Sequence, residues 1–180
     1  MSEELEVLKT VSQKLNNANI PYMVSGSVAM NFHAQPRMTR DIDIVINLSQ
    51  TNIQNFIDIF KEDFYLDEDT IKKEVSASGM FNLIHNKYII KVDFIIHKND
   101  EFSLTAFERR LNVDVDGVII SIATAEDLIL VKLDWAKESI SEMQLKDVSN
   151  IKKMAEHINY TYLNNWIDKL GLQEVYKKIT

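Results

Sequence analysis

Short apolar runs that alternate with helical segments constrain the fold of this 180-residue chain more than any other feature. Runs rich in Ile, Val and Phe have the length of strands: 22–24, 41–47, 80–85 and 88–97. Segments with the spacing of amphipathic helices lie around them: 3–17, 50–61 and 68–76. The pattern predicts a mixed α/β half that extends to about residue 121.

The second half of the sequence predicts helices alone. Four segments have helical spacing: 125–138, 142–157, 160–170 and 172–178. Capping boxes are predicted at Thr124 with Asp127 and at Ser141 with Gln144, and Gly171 is a natural C-cap. Two hairpins precede these helices, with turns at Asn86-Lys87 and Asp116-Gly117. We therefore expect two parts, residues 1–121 and 122–180.

Charge and composition exclude several classes of protein. The chain carries 27 Asp and Glu against 20 Lys and Arg, a net charge of -7, so its surface as a whole should not attract nucleic acid. The absence of cysteine excludes disulfides, thiolate zinc sites and cysteine nucleophiles. The acidic N-terminus lacks an apolar signal core, and no apolar run approaches the roughly 20 residues that span a bilayer. These features favour a cytoplasmic protein with no membrane partner.

Two carboxylates, Asp41 and Asp43, begin the strand-like run DIDIVIN. Side chains two residues apart in a strand share a face, so both acids point to one side and the isoleucines to the other. Like charges this close repel each other unless a cation compensates them. Salt bridges to Arg37 and Arg40 are one way to compensate the two charges, and a bound metal ion is the other.

A third carboxylate, Asp93, lies inside the apolar run KVDFII. A carboxylate in such surroundings is costly unless it is paired or bound to metal. If this strand neighbours that of Asp41 and Asp43, three hard oxygen ligands converge, and such ligands suit Mg²⁺. The alternative is that Asp93 occupies an exposed strand end.

A glycine-serine pair, Gly26-Ser27, follows a predicted strand and opens the predicted helix VAMNFHA. A turn that contains glycine lets backbone N–H groups approach a phosphate, and a helix N-terminus favours negative charge. The alternative is that Ser25 or Ser27 is an ordinary N-cap.

The string SGSVAMNFHAQPRMTRDIDIVI resembles the signature of the nucleotidyltransferase superfamily, whose members share a DNA polymerase β-like fold. More narrowly, it resembles small bacterial nucleotidyltransferase-like proteins related to the toxins of abortive-infection, type IV toxin–antitoxin systems. Those proteins carry an arginine and a threonine before the acidic triplet, as Arg37 and Thr39 do here. The later string EDLILVKLDWAKESISEMQLKDVSNI extends the resemblance to roughly residues 20–160 through Lys132 and Asp147.

The resemblance implies an α+β fold in which a mixed β-sheet core, flanked by helices, precedes a C-terminal helical subdomain. It also implies Mg²⁺-dependent transfer of a nucleotide monophosphate from an NTP to an acceptor hydroxyl, with release of pyrophosphate. Asp41, Asp43 and Asp93 would hold two Mg²⁺ ions, and Asp93 would also help to deprotonate the acceptor. The β- and γ-phosphates would bind Gly26 and Ser27.

Four further residues receive roles from the same resemblance. Arg37 or Arg40 would neutralise phosphate charge, which a planar guanidinium does well. Lys132 would reach the triphosphate from the helical half, and Asp147 would orient it or serve in acceptor chemistry. A purely structural Lys132–Asp147 ion pair between two helices is an equal alternative, and both roles can hold at once.

The acceptor is left open by the sequence: a tRNA end, a protein hydroxyl or a small molecule such as an antibiotic. As a toxin, the protein would be restrained by an antitoxin partner. The alternatives are an antibiotic-modifying nucleotidyltransferase and a catalytically silent binding module of the same fold. Outside the motifs, Trp135 and Trp166 are predicted to pack in the core, and Arg109-Arg110 to form a solvated pair.

Overall fold

The computed structural model describes residues 2–139 and 141–179. Its strands are β1 (Tyr22–Val24), β2 (Asp41–Ile46), β3 (Phe64–Tyr65), β4 (Met80–His85), β5 (Lys91–Ile96), β6 (Leu111–Val115) and β7 (Val118–Ile122). They form one seven-stranded sheet in the order β3-β4-β5-β2-β1-β7-β6. The pairs β2–β5 and β1–β7 are parallel and the others antiparallel. The predicted mixed sheet is confirmed.

Helices flank this sheet and make up all regular structure after β7 in the described part of the chain. They are α1 (Glu3–Asn17), α2 (Gly26–Met30), α3 (Ile53–Phe60), α4 (Glu68–Ala77), α5 (Glu101–Glu108), α6 (Ala125–Ser139), α7 (Glu142–Met154), α8 (Tyr160–Leu170) and α9 (Gln173–Tyr176). Short 3-10 turns occupy Gln50–Asn52 and Lys177–Ile179. The α+β architecture with C-terminal helices is therefore as predicted. None of these helices is long and apolar enough to cross a membrane within the described residues.

The two faces of β2 have different surroundings. Ile42, Ile44 and Ile46 are fully buried on one face. Phe94 of β5 lies beside Ile44 in the sheet, and Phe56 of α3 packs on it with ring centroids 5.2 Å apart. Because α3 covers this face, the acids at alternate positions of β2 lie on the opposite face. Elsewhere α6 packs against α2, α7, α8 and α9, which joins the helical half to the sheet.

Several turns and caps follow the sequence signals. Asp116 and Gly117 both have positive φ, 52° and 82°, which gives the tight β6–β7 hairpin. Thr124 Oγ1 accepts from the Asp127 backbone N–H at 3.2 Å and so caps α6. Gly171 ends α8 in the left-handed conformation, with φ 64°.

Other local predictions were wrong. The β4–β5 connection spans residues 86–90 instead of two, with Ile89 left-handed at φ 54°. The helix after Gly26 ends at Met30, because the side chain of Asn31 holds both backbone groups of Arg37 at 3.0 and 3.1 Å and turns the chain. Ser141 makes no side-chain cap, and α7 ends three residues early at Met154. The helix α5 and the short strand β3 were not predicted.

Arg109 differs from its prediction as a solvated residue. Its guanidinium pairs with Glu126 at 3.2 Å and Asp127 at 3.4 Å, and it lies 3.7 Å from the ring centroid of Tyr162. These contacts tie the end of α5 to the start of α6 and to α8. Arg109 therefore serves the packing of helices.

Candidate active site

Parallel pairing of β2 with β5 brings two of the predicted acids together. Asp43 lies directly opposite Asp93 in the register, and Asp41 lies opposite Lys91. Partners in a parallel ladder with the same alternation point to the same face. Asp93 is 7% exposed, so the alternative of an exposed strand end is wrong. Asp41 lies at the rim, with a side chain that is 55% exposed.

Lys91 forms ion pairs with two of these acids, and the sequence analysis missed it. Its Nζ lies 2.8 Å from Asp93 Oδ2 and 3.8 Å from Asp41 Oδ1. The hydrogen bond to Asp93 raises the pKa of Lys91. Its Lys-x-Asp spacing in the strand was the available signal, since residues two apart share a face.

Asp43 is an acid whose pKa is raised by its surroundings. Burial raises the pKa of Asp43, and the negative charges of Asp93 and Asp41 raise it further, while Lys132 and Lys91 act in the opposite direction. Meanwhile Asp93 Oδ1 is buried without a hydrogen-bond partner among the described residues. A cation placed between these two carboxylates would relieve both costs.

The glycine turn is pressed against Asp43. Gly26 has φ +60°, and a Cβ built on it would lie 1.9 Å from Asp43 Oδ2. The preceding Ser25 N–H donates to the Asp43 backbone carbonyl at 2.8 Å, which extends the β1–β2 ladder into the turn. Ser25 occupies the N-cap position of α2 without a side-chain cap bond. Only glycine therefore fits both the backbone conformation and the space beside the carboxylate.

An ion-pair network joins the turn to the helical half. Lys132 Nζ lies 2.7 Å from Asp147 Oδ2, and both residues are 5% exposed. Arg37 donates to both oxygens of Asp147, at 3.2 and 3.1 Å, and also to Ser27 Oγ. The predicted Lys132–Asp147 ion pair is present. The alternative in which Arg37 neutralises Asp41 and Asp43 is wrong, because its fork binds Asp147.

Arg40 stands apart from this network. It is exposed, and no described residue forms a hydrogen bond or ion pair with its guanidinium. The alternative in which Arg40 compensates Asp41 or Asp43 therefore finds no contact in the structure.

A cavity of about 230 Å³ opens beside Asp43. It is lined by Ser25, Gly26, Ser27, Asp43, Ile95, Val131, Lys132, Trp135 and Gln144. Trp135 is 63% exposed, so its prediction as a core residue was wrong, whereas Trp166 is 5% exposed as expected. Helical spacing suggested that Trp135 packs in the core. The same spacing places its indole on the side of α6 that carries Lys132, which lies one turn earlier in the helix.

In their present conformations, the acidic side chains provide only part of a binding site for a hard cation such as Mg²⁺. Among residues 2–139 and 141–179, no three Asp, Glu, His or Cys side chains are arranged to hold a metal ion. Lys91 lies against the oxygens of Asp93 and Asp41 that would complete such a group. Asp43 forms no ion pair among the described residues, and Oδ1 of Asp93 has no hydrogen-bond partner there, so both still offer the oxygen acceptors that Mg²⁺ takes.

Comparisons with solved structures show the same fold. An antigenic nucleotidyltransferase-like protein from Paracoccidioides brasiliensis superimposes with a TM-score of 0.59 at 16% identity, over 96% of this chain and 91% of that one. A putative nucleotidyltransferase from Thermotoga maritima gives 0.55 at 19% identity, over 80% and 91%. ANT(2'')-Ia in complex with adenylyl-2''-tobramycin gives 0.55 at 10% identity, over 97% and 99%.

Sequence comparison identifies the family. No curated protein sequence matches the chain significantly. The sequence model of aminoglycoside-2''-adenylyltransferase matches residues 7–120, which include the glycine turn and all three strand carboxylates. This match covers more than half of the chain and agrees with the fold of the superimposed nucleotidyltransferases. The chain therefore belongs to the aminoglycoside-2''-adenylyltransferase family and is an enzyme of the nucleotidyltransferase superfamily.

Proposed function

We propose that this enzyme transfers the adenylyl group of ATP to a hydroxyl group of an amino-sugar antibiotic. The observation that carries the proposal is the pairing of the half-buried Asp43 with the buried Asp93 on adjacent strands, where Asp43 lies against the Gly26 turn and lines the cavity with it. The two acids repel each other, and one of them has an oxygen without a hydrogen-bond partner, so the pair destabilises the fold when nothing is bound. The same pair is a good site for a cation and its phosphate ligand.

The triphosphate is proposed to bind along the turn and α6. Gly26 and Ser27 line the same cavity as Lys132. Arg37 reaches the Ser27 hydroxyl and is held there by Asp147. Arg40 is exposed and uncommitted, which leaves it free to contact phosphate at the rim. Asp147 thus positions two cations, and its role is one of orientation.

Asp43, Asp93 and, at the rim, Asp41 would hold two Mg²⁺ ions. When bound, the ions neutralise phosphate charge and make the acceptor hydroxyl more acidic. Binding requires that Lys91 release at least one carboxylate oxygen, since its Nζ lies 2.8 Å from Asp93 and 3.8 Å from Asp41.

The transfer is an in-line displacement at the α-phosphate. The acceptor oxygen forms a bond to the α-phosphorus, and the bond from that phosphorus to the β-phosphate bridging oxygen breaks. The hydroxyl proton passes to the Asp93 carboxylate as the acceptor oxygen attacks. Pyrophosphate carries away the leaving electron pair, and AMP remains esterified to the acceptor.

Family membership and charge favour an amino-sugar acceptor. The matched family is defined by adenylylation of aminoglycosides, and the superimposed ANT(2'')-Ia carries adenylyl-2''-tobramycin. A net charge of -7 suits a polycationic acceptor better than an RNA. A tRNA or protein acceptor, and an antitoxin partner, remain predictions without a supporting observation in the matched family.

We also propose that the site lies between two subdomains, residues 1–121 and 122–180. The network of Arg37 with Asp147 and Lys132 crosses this boundary, and β7 ends at Ile122 just after it. Substrate binding at the network would therefore couple the two parts.

The test measures pyrophosphate release with ATP, Mg²⁺ and a panel of acceptors: tobramycin, lincomycin, total tRNA and total cell protein. We expect release only with the aminoglycoside, and none from the Asp43→Asn variant. Release with tRNA or protein, together with growth arrest on expression, would support the toxin function instead. Tight ATP binding by calorimetry without transfer to any acceptor would indicate a silent binding module and refute the proposal.

A further inference from the structure

Trp135 is a large apolar side chain that lies mostly outside the packed core. Its side chain is 63% exposed, and among the described residues no aromatic ring or cation contacts the indole. Trp166 shows the contrast: it is 5% exposed and packs on Phe102 with ring centroids 5.2 Å apart. An indole left in water forgoes the burial that usually stabilises it. Exposure at the lip of a cavity therefore points to a ligand.

The cavity combines a phosphate-binding wall with this apolar wall. Trp135 lies three residues after Lys132 on α6, so both side chains project from the same face about one turn apart. Val131 and Ile95 complete the apolar lining. At about 230 Å³ the cavity is smaller than the ~300–1,000 Å³ of complete small-ligand pockets, so it holds part of a substrate.

Gln144 adds a directed hydrogen-bond donor. Its Oε1 accepts from Lys132 Nζ at 3.3 Å, so the carbonyl end of the amide is occupied. Its NH₂ group has no partner among the described residues and lines the same cavity as Trp135. An amide donor beside an aromatic face is a set that recognises a planar heterocycle with ring nitrogen acceptors.

We propose that Trp135 and Gln144 form the nucleobase subsite, with the base stacked on the indole and a ring nitrogen accepting from the Gln144 amide. The inference rests on the proposed function, since it places the base of the same ATP. A base fits better than the acceptor because Asp93, the assigned base for the acceptor proton, does not line this cavity. An amino sugar also lacks a flat aromatic face.

The test uses the two tryptophans of the chain. In a Trp166→Phe background, all tryptophan emission comes from Trp135. We expect MgATP to quench this emission, and magnesium tripolyphosphate, which has the phosphates without the base, to leave it unchanged at saturation. Tobramycin alone should also leave it unchanged. Quenching by tobramycin and not by MgATP would overturn the inference and assign Trp135 to the acceptor.

A second experiment measures the MgATP affinity of wild-type and variant proteins by calorimetry. Trp135→Ala should weaken MgATP binding about 5- to 150-fold, the range for loss of one base–aromatic stack, and leave tripolyphosphate binding within twofold. Trp135→Phe should retain most of the affinity. Met143→Ala is the matched control, since Met143 is 56% exposed on α7 and does not line the cavity.

The outcomes separate this inference from the proposed function. MgATP binding that is intact and unaffected in Trp135→Ala would overturn the nucleobase subsite alone. Absence of any MgATP binding to the wild-type protein would overturn the proposed function and the subsite with it.

Discussion

Replacing Asp147 with asparagine removes the charge that two cations share. Asp147 and Lys132 are each 5% exposed and lie 2.7 Å apart, so the change leaves the Lys132 ammonium buried without its counter-ion. Breaking a buried pair in this way costs about 3–5 kcal/mol of unfolding free energy. For a domain of 150–250 residues, each kcal/mol lowers the melting temperature by roughly 2–4 °C, so the midpoint should fall by about 6–20 °C.

The ordering of two variants makes this prediction sharper. Lys132→Met should cost clearly less than Asp147→Asn, because Arg37 still pairs with Asp147 at 3.1 Å and is partly hydrated. Asp134→Asn, at an exposed position of α6, is the control and should stay within about 0.5 kcal/mol. Chemical denaturation of the four proteins gives the unfolding free energies. An Asp147→Asn cost below about 1 kcal/mol, or an equal cost for Lys132→Met, would refute the assignment of Asp147 as the shared counter-ion.

Three further predictions concern the acids and the turn. Gly26→Ala should abolish nucleotide binding in calorimetry, because its Cβ would lie 1.9 Å from Asp43 Oδ2; unchanged affinity would mean that the turn and the carboxylate are not in contact. Asp43→Asn should stabilise the metal-free protein at neutral pH, since burial and like charges raise the pKa of Asp43 and ionisation therefore opposes folding. This gain in stability should vanish below the ordinary pKa of Asp, where Asp43 is protonated in both the folded and the unfolded protein. Melting curves in EDTA in which the gain does not change with pH would contradict this prediction. Lys91→Met should lower the melting temperature in EDTA, and Mg²⁺ should restore more of it than in wild type; equal Mg²⁺ effects would show that Lys91 does not occupy the cation site.

Much of the sheet and part of the site could be predicted from the sequence. Alternation in DIDIVI fixes which face each residue takes, because one face must be buried, and this placed Asp43 beside Asp93 once the strands were neighbours. The Asp116-Gly117 turn was equally predictable, since few residue pairs adopt two positive φ values.

Features that depend on long-range contacts could not be predicted. Helical spacing shows that Trp135 shares a face with Lys132, but only the tertiary structure shows that this face borders a cavity. Gln144 fits the pattern of a capping box, yet its amide accepts from Lys132 twelve residues away. The length of α2 is set by Asn31, whose side chain holds the backbone of Arg37 and has no periodic signal.

The most direct test of nucleotidyl transfer compares two labels. The enzyme is incubated with Mg²⁺ and tobramycin, and with ATP that is labelled either at the α-phosphorus or at the γ-phosphorus. We predict that the α label alone enters the aminoglycoside, that the γ label appears in pyrophosphate, and that Asp93→Asn abolishes both. Transfer of the γ label to the acceptor would show phosphoryl transfer and contradict the proposed function, as would labelling that persists without the carboxylate of Asp93.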